Sequence, residues 1–296
     1  EKVLMKGNEA IGEAAIRSGC RHFFGYPITP QTELSAYMAK KMPKINGVFL
    51  QAESEVSAIN MVYGAAAAGM RAMTSSSSPG ISLKAEGISY LAAGDLPCVI
   101  VNIVRGGPGL GGIQPAQSDY FQAVKGGGHG DYHLIVLAPN SVQELAHLTA
   151  EAFNISDEYR IPTMILGDGT LGQMMEPVDL DAIPEPIYAD KPWAARGTDN
   201  KRKKNVVETL YLEASELEKK VLEREEKYNV IKENLQRYEA HDIDDADIII
   251  SSYGITSRVV ETAVKSLREE GIKVGVIRPI TLWPFPEKIF KTVKPK

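Results

Sequence analysis

Four short segments of the sequence carry residue types that can do chemistry, and each lies where a strand-like run gives way to a helix-like or loop-like one. The first is Gly25-Tyr26-Pro27-Ile28-Thr29-Pro30. Two prolines around a threonine make a rigid turn that holds one hydroxyl at a fixed place. Taken alone, this segment is better explained as a strand-to-helix turn with Thr29 as an N-cap. The second is Gln51-Ala52-Glu53-Ser54-Glu55. An acid at a helix start ordinarily just complements the helix dipole. Glu55 stands out because the helix behind it is almost wholly apolar. A carboxylate entering a buried helix needs a specific partner, or it takes up a proton. The third is Thr74-Ser75-Ser76-Ser77-Ser78-Pro79-Gly80, where small hydroxyl residues let a ligand approach the backbone and supply donors. A flexible loop has the same composition.

The fourth segment runs from Arg105 to Asp119 and opens a stretch with nine glycines in the 25 residues 106–130. It is neither the dinucleotide fingerprint nor a P-loop, since it follows a later strand and has no Gly-Lys-Ser/Thr. An arginine at a strand end suits bidentate recognition of a carboxylate, and a surface arginine on a mobile loop reads the same way. Leu110 and Ile113 are the nearest apolar side chains. Two other patterns read as turns: Gly167-Asp168-Gly169, with no suitably spaced Asn to complete a diphosphate–metal motif, and His129-Gly130-Asp131-Tyr132-His133, with no helical His pair.

The elements that must position these segments alternate. Helical spacing predicts helices over 7–18, 55–68 and 81–93, and β-branched or apolar runs predict strands over 22–26, 47–50, 72–74, 99–104, 134–137 and 163–166. Ser141 with Glu144 three residues on marks another helix start. The alternation predicts an α/β fold with a mostly parallel sheet, helices on both faces and ligands at the strand ends. Prolines at 177, 184, 186 and 192 mark a connecting arm. Residues 201–240 hold 19 charged residues in 40. Val207, Leu210, Ala214, Leu217, Val221, Tyr228, Ile231, Leu235 and Tyr238 form an apolar seam there, broken at Arg224, which predicts a long helix of on the order of 45 Å if continuous. It is read as lying across its own domains, in preference to a strut against a partner. A strand–helix–strand unit follows over 247–277 and is too small to be stable alone, so the unit reads as incomplete in this chain.

Composition sets the outer limits. The 296 residues predict about two domains. A net charge of −5 argues against a nucleic-acid partner, and no apolar run is long enough to predict a membrane span. Two cysteines, Cys20 and Cys98, cannot furnish a disulfide framework, an iron–sulfur cluster or a four-Cys zinc site, so no metal site is expected in this chain; a reducing cytoplasm is the simplest compartment.

Taken together the segments are specific. The order YPITP, ESE, a Ser-rich turn ending in PG, then VRGGPGLGG…QSD, resembles the alpha subunit of the 2-oxoacid:ferredoxin oxidoreductases. GGGHGDY (Gly126 to Tyr132) looks most like the branched-chain type, acting on 2-ketoisovalerate (3-methyl-2-oxobutanoate). The resemblance covers 2–170 and resumes at 246–286, where IRPITLWPFP matches a transketolase C-terminal-like α/β domain. It implies a thiamine-diphosphate pyrimidine-type domain over 1–175, a connecting arm and charged helix over 176–245, and the transketolase C-terminal-like domain over 246–296. The implied activity is thiamine-diphosphate-dependent oxidative decarboxylation with coenzyme A, giving acyl-CoA and CO2, with electrons passing through iron–sulfur clusters to ferredoxin.

The resemblance also implies roles. Glu55 would hydrogen-bond the aminopyrimidine ring nitrogen and favour the imino tautomer that takes the thiazolium proton. Thr29 and Arg105 would lie over the reacting carbon, with Arg105 holding the substrate carboxylate. Tyr26, Pro27, Ile28, Ser76 and Ser77 would complete the cofactor contacts. The serine run departs from the Thr-Ser-Gly-Pro-Gly form of related thiamine enzymes, which leaves open which hydroxyl makes contact. Leu110 and Ile113 would meet the far end of the substrate. The diphosphate and Mg2+ would belong to a beta subunit and the [4Fe-4S] clusters to partners, with a gamma subunit, a ferredoxin-like cluster subunit and ferredoxin as further partners. Two alternatives stand beside this reading: a 2-oxoglutarate-specific alpha subunit, favoured by a basic residue for a second carboxylate, which 109–114 lacks, and a non-catalytic assembly subunit, favoured by loss of the Glu or Arg, both of which are present.

Overall fold

A computed structural model of the chain describes residues 2–293; Glu1 and the last three residues of the C-terminal segment lie outside the described residues. The elements are, in chain order, β1 (Lys2–Lys6), α1 (Gly7–Arg17), β2 (His22–Gly25), α2 (Thr32–Lys41), β3 (Val48–Gln51), α3 (Glu55–Ala67), β4 (Ala72–Ser76), α4 (Pro79–Ala93), β5 (Cys98–Val104), α5 (Tyr120–Val124), β6 (Ile135–Leu137), α6 (Val142–Tyr159), β7 (Pro162–Asp168), α7 (Gly169–Gln173) and β8 (Met175–Asp179). Then come α8 (Ala214–Asn234), β9 (Tyr238–His241), β10 (Ile248–Ser251), α9 (Ile255–Glu269), β11 (Val274–Pro279), β12 (Thr281–Trp283) and α10 (Glu287–Thr292).

Seven strands form the main sheet in the order β12-β6-β7-β5-β4-β2-β3, all parallel except β12, which pairs antiparallel with β6. Every residue of β5 and β7 is buried. Strands covered on both faces read as unbroken apolar runs, which is why Cys98–Val104 shows no alternation. Two groups of helices supply the cover: α1 packs on α2 and α6, and α3 on α4. β1 and β8 make a separate antiparallel pair, and β10, β11 and β9 a three-stranded sheet with α9 against β11. After β11 the chain returns to the main sheet through β12.

The small sheet is held to the main body by polar contacts. Arg278 is almost fully buried and bonds both oxygens of Glu144 at 2.8 Å and Glu239 at 2.9 Å. Glu144 also accepts from the Asn140 amide at 2.7 Å, so the acid foreseen as a helix-start signal caps α6 and anchors Arg278 together. Gln117 donates to the Tyr253 carbonyl at 2.8 Å and accepts from the Thr256 hydroxyl at 2.6 Å.

The charged helix is shorter than its seam predicts. α8 has 21 residues, or about 32 Å, and residues 202–212 are not helical. Tyr228 and Ile231 are buried against the chain's own body, whereas Leu217 and Val221 are exposed. The intrachain reading therefore holds for the second half of the helix. Lys227 binds Asp95 and the Arg160 carbonyl, at the amino ends of β5 and β7. The arm before it lies at the same end: Arg71 bonds the Ile187 carbonyl and Asp157, and Lys191 also reaches Asp157. Arm and helix thus leave the carboxyl ends of the strands clear. No helix of the described residues is long and apolar enough to cross a membrane.

Candidate active site

β5, β4, β2 and β3 are consecutive in the sheet, and their carboxyl ends lead to Arg105, to Ser76-Ser77-Ser78, to Thr29 and to Glu55. From β2 the chain winds to β3 on one side, and then crosses to β4 on the other. The crevice outside such a reversal is where open α/β sheets hold ligands.

Glu55 is the first residue of α3. Ser54 caps the helix, its hydroxyl accepting from the Ser57 amide at 3.2 Å. The Glu55 side chain is 6% exposed and accepts no hydrogen bond from any described residue. Glu53, two residues earlier, is exposed and accepts from the Ser57 hydroxyl at 2.7 Å, which holds its carboxyl below the usual range. α4 approaches Glu55 very closely. A Cβ on Gly80 would lie 2.0 Å from Ser76 Oγ and 2.9 Å from Glu55 Oε1. Gly80→Ala is therefore expected to push both groups aside, at a cost of about 1–3 kcal/mol for overpacking. Equilibrium urea unfolding checks this, and an unchanged midpoint would show that the contact relaxes freely.

The serine run joins the other segments. All of Ser75 to Ser78 are buried. Ser75 Oγ donates to Gln31 Oε1 at 2.6 Å, and Ser78 exchanges two hydrogen bonds of 3.1 Å with the Arg105 backbone. The Ser78 amide donates to Asn102 Oδ1 at 3.1 Å, and Asn102 donates on to Asp119 at 2.9 Å. Thr74 Oγ1, Ser76 Oγ and Ser77 Oγ have no partner among the described residues.

Thr29 does not cap α2. That helix begins at Thr32 with Gln31 in the cap position, and Thr29 is exposed at the turn. The segment is the strand-to-helix turn between β2 and α2, but the Thr29 N-cap is not made. Tyr26 and Ile28 are half-buried and Pro27 is exposed. Gln31 is fully buried and donates to the Tyr26 carbonyl at 3.2 Å, tying the turn to Ser75 on β4.

Arg105 is 7% exposed. Its Nη1 donates to the Thr29 carbonyl at 3.1 Å and its Nη2 to the Leu110 carbonyl at 3.0 Å, while Nε has no partner among the described residues. A guanidinium has five N–H donors, so three remain for a ligand. The structure thus gathers Arg105, Thr29 and Ser78, and separately Glu55 with Ser76, the serine run linking the two groups. Leu110 and Ile113 are not enclosed in this chain, being 82% and 63% exposed on the glycine-rich loop.

Gln31, Asn102 and Lys84 are parts of this network that the sequence reading did not single out. Asn102 and Lys84 carry a usable signal, a polar residue inside an apolar run. Asp168, in the Gly-Asp-Gly turn, caps α7 by accepting from the Thr170 and Leu171 amides at 2.7 and 3.2 Å, and burial raises its carboxyl above the usual range. His133 is stacked on Trp283 at 4.6 Å. No group of three or more His, Cys, Asp or Glu among the described residues is arranged to hold a metal ion.

Residues 13–254 match the family described as pyruvate flavodoxin/ferredoxin oxidoreductase, thiamine diP-binding, and residues 246–296 match pyruvate:ferredoxin oxidoreductase core domain II. The chain is 51% identical over 285 residues to the ketoisovalerate oxidoreductase subunit VorB of Methanothermobacter marburgensis, covering 96% of this chain and 81% of that one. It is 37% identical over 315 residues to the 2-oxoglutarate synthase subunit KorA of Methanocaldococcus jannaschii, covering 99% and 86%. Among solved structures it resembles the 2-oxoglutarate:ferredoxin oxidoreductase of Magnetococcus marinus, determined with 2-oxoglutarate, coenzyme A and succinyl-CoA bound. The TM-score is 0.89 at 31% identity, over 99% of this chain and 56% of that chain. The match thus spans about half of the solved chain. Fold, loop order and identity to named relatives converge: the chain belongs to the pyruvate flavodoxin/ferredoxin oxidoreductase family, the 2-oxoacid:ferredoxin oxidoreductases.

Proposed function

We propose that this chain is the alpha subunit of a 2-ketoisovalerate:ferredoxin oxidoreductase and holds the aminopyrimidine half of thiamine diphosphate. In this reading residues 1–175 are the pyrimidine-binding domain, 176–245 the connecting arm and charged helix, and 246–296 the transketolase C-terminal-like domain. The observation that carries the proposal is the buried Glu55 carboxylate without a hydrogen-bond donor, beside Ser76 and Gly80 at the end of β3. The partnerless Ser76, Ser77 and Thr74 hydroxyls and the free Arg105 Nε add polar atoms that fit a bound heterocycle and an anionic substrate.

Thiamine diphosphate, when bound, supplies the carbon nucleophile and electron sink for decarboxylating a 2-oxoacid. The residues of this chain do the rest of what this half-site contributes. Glu55 holds a proton shared with a ring nitrogen of the aminopyrimidine. Arg105, fixed by the Thr29 and Leu110 carbonyls, presents its remaining donors to the substrate carboxylate and orients it. The hydroxyls of Ser76 and Ser77 are the cofactor contacts on β4 and its turn, with Tyr26, Pro27 and Ile28 on the facing turn.

The diphosphate, its Mg2+ and the [4Fe-4S] clusters fall to a beta subunit, a gamma subunit and a ferredoxin-like subunit, with ferredoxin as acceptor and coenzyme A as co-substrate. The two free, buried cysteines suit a reducing cytoplasm; burial raises both thiols, Cys20 to about 12.

Two features support the branched-chain substrate: relatives bearing that name share 51–52% identity against 37–38% for those named for 2-oxoglutarate, and residues 109–114 offer no cation to a second carboxylate. A buried unpaired carboxylate costs several kcal/mol. The assembled complex is therefore expected to prefer 2-ketoisovalerate over 2-oxoglutarate by about 10²-fold or more in kcat/KM, read as ferredoxin reduction. Comparable values for the two acids would overturn the substrate and leave the thiamine chemistry standing.

A further inference from the structure

Lys84 is fully buried, and an ammonium so placed needs a compensating charge. Its one hydrogen bond among the described residues runs from Nζ to the Ser75 carbonyl at 3.4 Å. That is one long contact for a group with three donors. Lys84 stands four residues after Gly80 on α4, hence on the same face of the helix. That face meets Glu55, since a Cβ on Gly80 would lie 2.9 Å from Glu55 Oε1. Glu55 in turn accepts no hydrogen bond from a described residue. Each of these two groups lacks what the other supplies.

We propose that Lys84 is a positioning residue for the reaction: its buried ammonium is the counter-charge of Glu55 and holds that side chain aimed at the aminopyrimidine. The inference rests on the thiamine reading of the site. Lys84 touches neither substrate nor cofactor in this scheme and acts only through Glu55. Two effects bear on its own proton. Burial lowers its pKa to about 8, and the charge of Glu55 opposes that fall. Of the elements around it, α3 contributes the charge of Glu55 and β4 contributes the Ser75 carbonyl. On β7 the one acid, Asp168, is engaged with the α7 amides. The ammonium form is thus present below about pH 8 and is lost above it, and the counter-charge to Glu55 goes with it.

The test is a double-mutant cycle in the assembled complex. Thiamine diphosphate with Mg2+ is titrated calorimetrically into apo complexes carrying Lys84→Met, Glu55→Gln, or both, and turnover is followed against pH. Methionine keeps the length and fills the space, but alone it leaves Glu55 without its counter-charge, so the unfolding midpoint is expected to fall in Lys84→Met and to recover in the double variant. On replacing Lys84, cofactor Kd is expected to rise about tenfold or more where Glu55 is intact, the scale of one pKa unit of charge interaction, and by less than about threefold in the Glu55→Gln background. The alkaline limb of turnover near pH 8 is expected to disappear in Lys84→Met. Equal losses in both backgrounds, or an unchanged Kd and pH profile, would overturn the proposal. If Lys84→Met does not assemble, Lys84→Gln retains a donor for the Ser75 carbonyl without the charge. A persistent loss of affinity in that variant supports the charge role, and full recovery refutes it. A wild-type complex that binds no thiamine diphosphate would remove the cofactor reading itself, which separates the two failures.

Discussion

Glu55→Gln is expected to leave the fold intact and to lower turnover of 2-ketoisovalerate by several orders of magnitude. The two side chains are nearly the same size, and Glu55 accepts no hydrogen bond from the described residues that the carboxamide would break. What disappears is the charge and the ability to exchange a proton. General acid–base catalysis is worth roughly 10²–10⁴, and a proton held for the whole cofactor cycle places the loss at or above that scale. Glu53→Gln is the matched control. Glu53 is exposed and bonded to Ser57, two residues away on the other side of the Ser54 cap, and its substitution is expected to change turnover little. Both variants are compared with wild type by substrate-dependent ferredoxin reduction in the assembled complex, with circular dichroism as the check on folding. Equal losses would mean that the wrong acid has been chosen or that both are structural.

Arg105→Ala is expected to raise KM and lower kcat together, with a combined loss of about 10²–10³ in kcat/KM. One contact binds the substrate carboxylate and orients the carbonyl, so removing it acts on both parameters. Arg105→Lys is expected to remain damaging. An ammonium cannot reach the Thr29 and Leu110 carbonyls and also offer two parallel donors to a carboxylate. The turn that carries Thr29 loses its anchor in the alanine variant, so part of its effect passes through Thr29. A lysine variant with wild-type kcat/KM would show that the fork geometry is unimportant and that charge alone suffices.

Several side chains owe their function to more than one contact. Glu144 caps α6 and anchors Arg278. Gln117 and Asp119 belong to one short motif, yet Gln117 holds the second sheet through Tyr253 and Thr256 while Asp119 holds Asn102 and so the Ser78 turn. The same loop thus touches the site on one side and the small sheet on the other.

Much of this was legible without coordinates. Apolar runs such as Cys98–Val104 are unbroken because both faces of the sheet are covered, and this places β4, β5 and β7 within a residue or two. The order of the four loop motifs identified the family, because each marks a strand end and strand ends are where α/β folds keep ligands. Other features depended on which strands become neighbours. Thr29 could have been a helix cap, and only the course of α2 from Thr32 shows that it is not. The 201–240 seam has helical spacing, but its first part is non-helical chain, with Val207 packed on the core and Asn205 bonded to the Pro192 and Ala194 carbonyls, and the helix starts only at Ala214. β1 and β8 pair from distant parts of the chain, Lys2 against Asp179, a contact no local pattern announces. Lys84 is marked in the sequence only as a polar residue inside an apolar run. Its burial facing Glu55 depends on α3 and α4 packing together, and local periodicity holds no information about which face of one helix meets which end of another.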